Sequence, residues 1–326
     1  LVANNSQLIY TSTTSDPYSN NNGPTMLGQN QTNVTNLIGT SNFDIGHVFS
    51  TGGGGIAGLG VVCTASQKAR GVTGSDSPVG DPFDIDYVAH EMGHQFGANH
   101  TFNSVTGSCG GGNRSANSAF EPGSGTTIMA YAGICGSDDL QSNSNAYFHF
   151  KSYEDIVTYT NSGGGNSCPV KTQTGNAAPV LPAMQGGYVL PINTNFKITA
   201  SQATDADGDI LSYCWEESDL GPGGTPASAT GTAPLFRSFS PVPDRDRVFP
   251  KWTAIRANTN VIGEKLPGYA RAMTFKVTVR DNNAGSGGST SGSISLSVNA
   301  TGGAFAVSAP NTNIAYEGGS SQTVTW

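Results

Sequence analysis

Charge is what this sequence has least of. Only 12% of its 326 residues are Asp, Glu, Lys or Arg, about half the share usual in a globular domain. Basic residues are the scarcer kind, 15 against 23 acidic ones, for a net charge of −8. Without a basic excess, nucleic acid and anionic membrane are excluded as expected partners. No run of 18 apolar residues is present, so no membrane span is expected. No basic segment followed by an apolar core opens the chain, so no signal peptide is read there. None of the five cysteines forms a CxxC pair. The glycine run at 52–55 has no GKS or GKT after it and does not follow a strand as GxGxxG would. It therefore reads as a flexible loop rather than a phosphate cradle. What is abundant is glycine, 44 residues, with Asn, Ser and Thr at most polar positions. That composition points to β-rich, loop-rich modules with a neutral-polar surface, and the length suits two domains.

One stretch carries most of the information. His90-Glu91-Met92-Gly93-His94-Gln95-Phe96-Gly97-Ala98-Asn99-His100 reads HExxHxxGxxH. Histidines four apart on a helix project from one face, one turn apart. Gly97 can take the left-handed conformation that ends the helix, letting His100 approach from a third direction. Three neutral imidazoles leave a fourth zinc position open, the pattern of a catalytic site. Glu91 is placed to reach a water there. At roughly 100° per residue, Ile85, Val88, Ala89, Met92 and Phe96 fall on one side of this helix and His90 and His94 on the other. The expected helix starts near Asp84 or Asp86. Its apolar face should pack in the core and its opposite face carry the ligands.

The rest of the first half is read around that helix. Residues 1–11 read as a strand and residues 26–38 as a helix stopped by Gly39. Gly58, Leu59, Gly60 and Val61 read as a glycine-bearing edge strand able to pair with an extended peptide. Residues 152–160 read as a further helix. His47 and His149 sit alone among aromatic residues and are expected to be structural. Four of the cysteines lie before residue 170, an even set that suggests two disulfides and an oxidising compartment. Their positions suggest Cys63–Cys168, joining the ends of the domain, and Cys109–Cys135, bracketing the loop after His100. Cys214 is left over as a buried strand residue.

The segment Thr127-Ile128-Met129-Ala130-Tyr131 resembles the Met-turn of the metzincins. Together with HExxHxxGxxH, the first 170 or so residues are similar to a zinc metallopeptidase of that clan, specifically the bacterial reprolysin-like (adamalysin-related) enzymes. The resemblance implies that His90, His94 and His100 bind Zn2+, that Glu91 is the general base, and that Met129 forms an apolar floor beneath the metal. It also implies that Tyr131 assists at the oxyanion or by switching away from the metal. Thr101 stands where true adamalysins carry Asp, and His100-Thr101-Phe102 is similar to the pappalysin type. The clan's first strand and helix would lie upstream of Leu1, so the chain is expected to be part of a longer one. The resemblance implies a secreted, extracellular or cell-surface protein.

Beyond residue 170 the pattern changes. Residues 173–178 read as a linker. Residues 196–200, 211–215, 273–279 and 294–298 alternate at period two between turn residues. The expected fold is thus α+β: a metzincin-like catalytic domain at 1–172 with a twisted mixed sheet and zinc helix, then an all-β immunoglobulin/fibronectin-like sandwich at 179–300. Residues 301–326 would begin another β module. Asp205, Asp207 and Asp209, with Asp281, offer alternating carboxylates suited to Ca2+, or form an acidic β-turn. The function expected is a monomeric secreted zinc endopeptidase acting on protein or peptide substrates. The alternatives are an adhesive surface protein with a silent peptidase-like head, and an enzyme restricted to itself or one partner.

Overall fold

The computed structural model describes residues 1–326 throughout. Its first half is a small mixed sheet with helices beside it. Residues Asn5–Leu8 form a 3-10 turn rather than the expected strand. Helix α1, Gly23–Ile38, follows. The Asn22 side chain accepts from the Thr25 N–H at 3.1 Å, satisfying one orphan donor of its first turn. Gly39, at φ 86°, ends it. Its buried stripe of Met26, Leu27, Val34 and Ile38 recurs at helical spacing. Met26 and Leu27 pack on Val72.

The sheet has three strands, β1 (Val48–Ser50), β2 (Gly54–Ala57) and β3 (Gly71–Gly74). Their order is β1-β3-β2. β1 runs parallel to β3, and β2 runs antiparallel to it. β3 is buried throughout, as a central strand should be, while β2 is an edge.

The histidine helix is not one regular α-helix. It begins with α2, Asp81–Phe83, passes through a π-helical turn at Asp84–Ala89, and ends as α3, His90–Gln95. The wider π turn alters the register that a uniform 100° step assumes. The outcome corrects the expected burial. His90, Glu91, Gly93 and Gln95 are the buried residues of α3, while Ile85, Val88, Ala89, Met92 and Phe96 are only half-buried. Ile85 and Ala89 do pack on Ile128 and Met129. The α3 side chains that meet the sheet are those of Glu91, against Gly55, and Gln95, against Gly71.

Residues 101–149 contain no strand and only two short 3-10 turns, yet residues 121–130 are all buried. A buried irregular segment must satisfy its own backbone. Here Thr101 N donates to Met129 O, Glu121 N to Thr101 O, Asn145 N to Thr126 O and Ile128 N to Tyr147 O. Helix α4, Phe150–Asn161, closes this half. The disulfides Cys63–Cys168 and Cys109–Cys135 pair as the sequence suggested.

The second half contains two sheets. β4 (Tyr188–Pro191), β6 (Ser212–Glu217), β8 (Arg271–Arg280) and β9 (Ser289–Asn299) form a four-stranded sheet in the order β4-β9-β8-β6, and β5 (Phe196–Thr199) pairs with β7 (Asp246–Phe249). A short helix, α5 (Trp252–Ala257), follows β7. Both sheets contribute to one cluster of 16 buried apolar residues that includes Phe196, Trp215, Phe249 and Phe275. Residues 301–326 are largely exposed, with a single bridge between Ala309 and Thr325.

The halves meet along a polar seam. Glu216 accepts from the Phe150 N–H at 2.8 Å and from the Ser238 hydroxyl at 2.6 Å, with His149 Nε2 3.7 Å away. A carboxylate from β6 thus caps the N-terminus of α4. Tyr147 donates to Ser238 Oγ, Arg114 to Gly221 O, and Lys276 pairs with Glu154. His149 is structural, as expected, and stacks on Phe120.

Candidate metal centre

The helix ends in a Schellman arrangement. Gly97, at φ 95°, donates to His94 O, and Ala98 N donates to Gly93 O. This turn brings His100 back over the helix. His94 stands edge to face against both other histidines, with ring centroids 4.8 Å apart for His90–His94 and 4.6 Å for His94–His100.

Each imidazole is oriented through the same atom. Nδ1 of His90 donates to Ile128 O at 2.7 Å, Nδ1 of His94 to Ala98 O at 2.7 Å, and Nδ1 of His100 to Asn113 O at 2.6 Å. With every Nδ1 carrying a proton toward a carbonyl, the Nε2 lone pairs point inward. They converge within 4.8 Å of one another. Nε2 of His94 lies 3.0 Å from that of His100, a contact that two neutral imidazoles in this tautomer cannot make as a hydrogen bond. Nε2 of His90 and Oε2 of Glu91 are buried without a partner. Orphaned acceptors around one point call for a cation.

The electrostatics agree. Burial, with the neighbouring histidines, holds His90 well below its usual range, and burial first and His100 second press His94 down to about 4. His100 is also lowered by burial. The imidazoles are therefore neutral, the form that binds metal. Burial pushes the Glu91 carboxyl up to about 8, because no positive charge faces it. A divalent ion among the three Nε2 atoms would supply that charge.

Residues 1–149 match the model of the reprolysin-like metallopeptidases of family M12B. That family is zinc-dependent and acts on protein or peptide substrates. The matched stretch contains the three histidines, Glu91, Met129 and Tyr131. No protein of curated function matches the chain. Among solved structures, a nucleoside hydrolase-related hypothetical protein from Saccharophagus degradans, associated with carbohydrate metabolism, is similar at 13% identity with a TM-score of 0.24. The alignment covers 48% of this chain and 34% of that one, so the chain spans about a third of its length. At that TM-score the likeness carries no argument about fold or chemistry.

Within the matched residues, Met129 is fully buried, in a cluster with Ala98 and Ile128. A Cβ on Gly93 would sit 2.4 Å from its sulfur, so the glycine inside the motif is what lets Met129 approach the helix. Tyr131 packs beside the histidines, its ring 4.5 Å from His100 and 5.5 Å from His90. Burial and the nearby Glu91 push its hydroxyl up to about 12.

The expected edge strand is displaced. It closes at Ala57, and Gly58, Leu59, Gly60 and Val61 form a turn. Three of their four N–H groups are already used: Gly58 donates to Arg70 O, Gly60 to His94 O and Val61 to Gln95 O. The Tyr159 hydroxyl lies 2.6 Å from Gly60 O. This turn caps the histidine helix, and of its four N–H groups only that of Leu59 is left without a backbone acceptor. The edge that runs over the site is β2, where a Cβ on Gly55 would meet the Glu91 carboxylate at 2.4 Å. His47, expected to be structural, bonds Gln95 Oε1 and Thr73 Oγ1, both at 2.8 Å, and so ties the histidine helix to β3.

The acidic group of the second half is narrower than expected. Asp205, Asp207 and Asp209 come together within 4.8 Å. Asp281 stands apart, because its carboxylate is taken by Asn176, the Asn283 N–H and the Gly288 N–H. Asp205 accepts from the N–H groups of Asp207 and Asp209. These bonds account for the loop as an acidic β-turn and make no case for Ca2+.

Sequence reasoning missed Gly55, Gly93 and Glu121. Gly93 had a signal, since glycine inside a helix costs about 1 kcal/mol relative to alanine and asks for a reason. The other two had none within their own neighbourhoods.

Proposed function

We propose that this protein is a secreted zinc endopeptidase of the metzincin clan. The observation that supports this most is the convergence of three Nε2 atoms, each fixed by an Nδ1 bond to a backbone carbonyl, beside the orphaned carboxyl of Glu91. His90, His94 and His100 would hold the ion. When bound, zinc polarises the scissile carbonyl and brings the pKa of a water toward ~7. Glu91 takes a proton from the attacking water and hands it to the leaving amine. Tyr131, which keeps its proton up to about 12, donates to the developing oxyanion. β2 offers its free edge to the substrate backbone, and its lack of a side chain at Gly55 leaves room for Glu91. Two disulfides suit an oxidising, extracellular setting. An immunoglobulin/fibronectin-like second half belongs to the same reading.

The test uses the full chain. Glu91→Gln should keep bound zinc and lower casein cleavage by about 10²–10⁴-fold. A chelator should stop turnover, and added zinc should restore it. A native chain that binds zinc but cleaves no protein or peptide substrate would sink the peptidase reading and favour a silent head.

A further inference from the structure

We propose that Glu121 is a positioning residue for the metal centre: its carboxylate latches the segment after His100 to the turn that holds His90. The inference rests on the zinc reading above.

Glu121 is 1% exposed. Oε1 accepts from the Thr101 hydroxyl at 2.6 Å and from the Thr127 hydroxyl at 2.5 Å. Oε2 accepts from the Thr126 N–H at 2.7 Å and from the Thr126 hydroxyl at 3.1 Å. All four donors are uncharged, and each bond is strengthened by the charge of the carboxylate.

What matters is where those donors lie. Thr101 directly follows His100. Thr126 and Thr127 directly precede Ile128, whose carbonyl receives the Nδ1–H of His90, and Met129, whose carbonyl receives the Thr101 N–H at 3.1 Å. One carboxylate thus joins two segments that are more than twenty residues apart in sequence and that orient two of the three histidines. Apart from the isolated bridge between Phe102 and Glu121, neither segment belongs to a helix or strand, so no extended hydrogen-bond ladder fixes their separation. Partners in this position act on a metal by fixing ligand orientation, and their loss costs about 10–100-fold in affinity.

Thr101→Val keeps the volume and removes only the donor, Thr101→Ser keeps the donor, and Glu121→Gln keeps the shape and removes the charge. Zinc affinity would be measured by competition with a chromophoric chelator, and ligand geometry by the visible spectrum of the Co2+-loaded protein. Thr101→Val and Glu121→Gln should bind zinc about 10–100-fold more weakly and alter the Co2+ bands, and Thr101→Ser should match the native protein in both. Native zinc affinity and native Co2+ bands in Thr101→Val overturn the latch, as does a loss that Thr101→Ser does not rescue. A native chain that takes up neither ion overturns the zinc reading itself, which separates the two failures.

Discussion

The two halves of this chain are held together by opposite means. The second half has one apolar cluster of 16 buried residues, no disulfide, and a free buried Cys214. The first half has four small clusters, the largest of four residues, and they do not merge. In their place it has two disulfides, the four-fold bonded Glu121, the His47–Gln95–Thr73 link, and carbonyls aimed at imidazoles. On the zinc reading proposed above, the difference follows from what the first half does. A site for a cation needs polar atoms converging inside the protein, and each one displaces apolar packing. Directional bonds and covalent links stabilise what an apolar core cannot.

That contrast can be broken at three points. The largest effect is expected from Phe275→Ala, which empties the centre of the second core. Phe275 is 0% exposed, and its ring centroid lies 4.7 Å from that of Phe249. The loss should be about 3–5 kcal/mol by chemical denaturation. A cost below 1 kcal/mol would mean that this cluster is not what holds the half together. Next, replacing Cys63 and Cys168 together by alanine opens a link across 105 residues. It should cost about 2–5 kcal/mol and, because Cys63 follows the turn that caps α3, should weaken zinc binding as well. Unchanged stability would show that the first half depends less on its covalent links than its small clusters imply.

The smallest effect concerns the seam. Glu216→Gln replaces the acceptor at the start of α4 by an amide and should cost about 1–3 kcal/mol. It should also split a single unfolding transition into two, one for each half. A native protein that already unfolds in two well-separated steps would show that the seam does not couple them.

The parts of this molecule visible in the sequence are those whose partners are close along the chain. The histidine spacing is local, and so is the alternation that marked β5, β6, β8 and β9 within a few residues of their ends. The cysteine pairs were legible because only a few pairings exist. Glu121 was not, since its donors at Thr101, Thr126 and Thr127 come together only after an irregular segment folds. Gly58, Leu59, Gly60 and Val61 looked like a strand by composition, but the carbonyls at the end of α3 compete for their N–H groups. The burial of α3 was misread because a π turn precedes it. Asp281 was grouped with Asp205 by residue type, while its actual donors are Asn176 and the backbone of its own turn. Thr101, the departure from the adamalysin pattern, makes sense beside Glu121, which supplies a carboxylate at that point from elsewhere in the chain.

The cap that Glu216 places on α4 bears on where the chain can be cut. Residues 173–178 look like the natural boundary for a shortened protein. A piece ending there would keep every histidine and both disulfides. It would also leave the Phe150 N–H and the Tyr147 hydroxyl without their acceptors, and expose the Ser124–Met129 segment where Thr126 now meets Ser238. A shortened protein that keeps these contacts has to include Glu216 and Ser238.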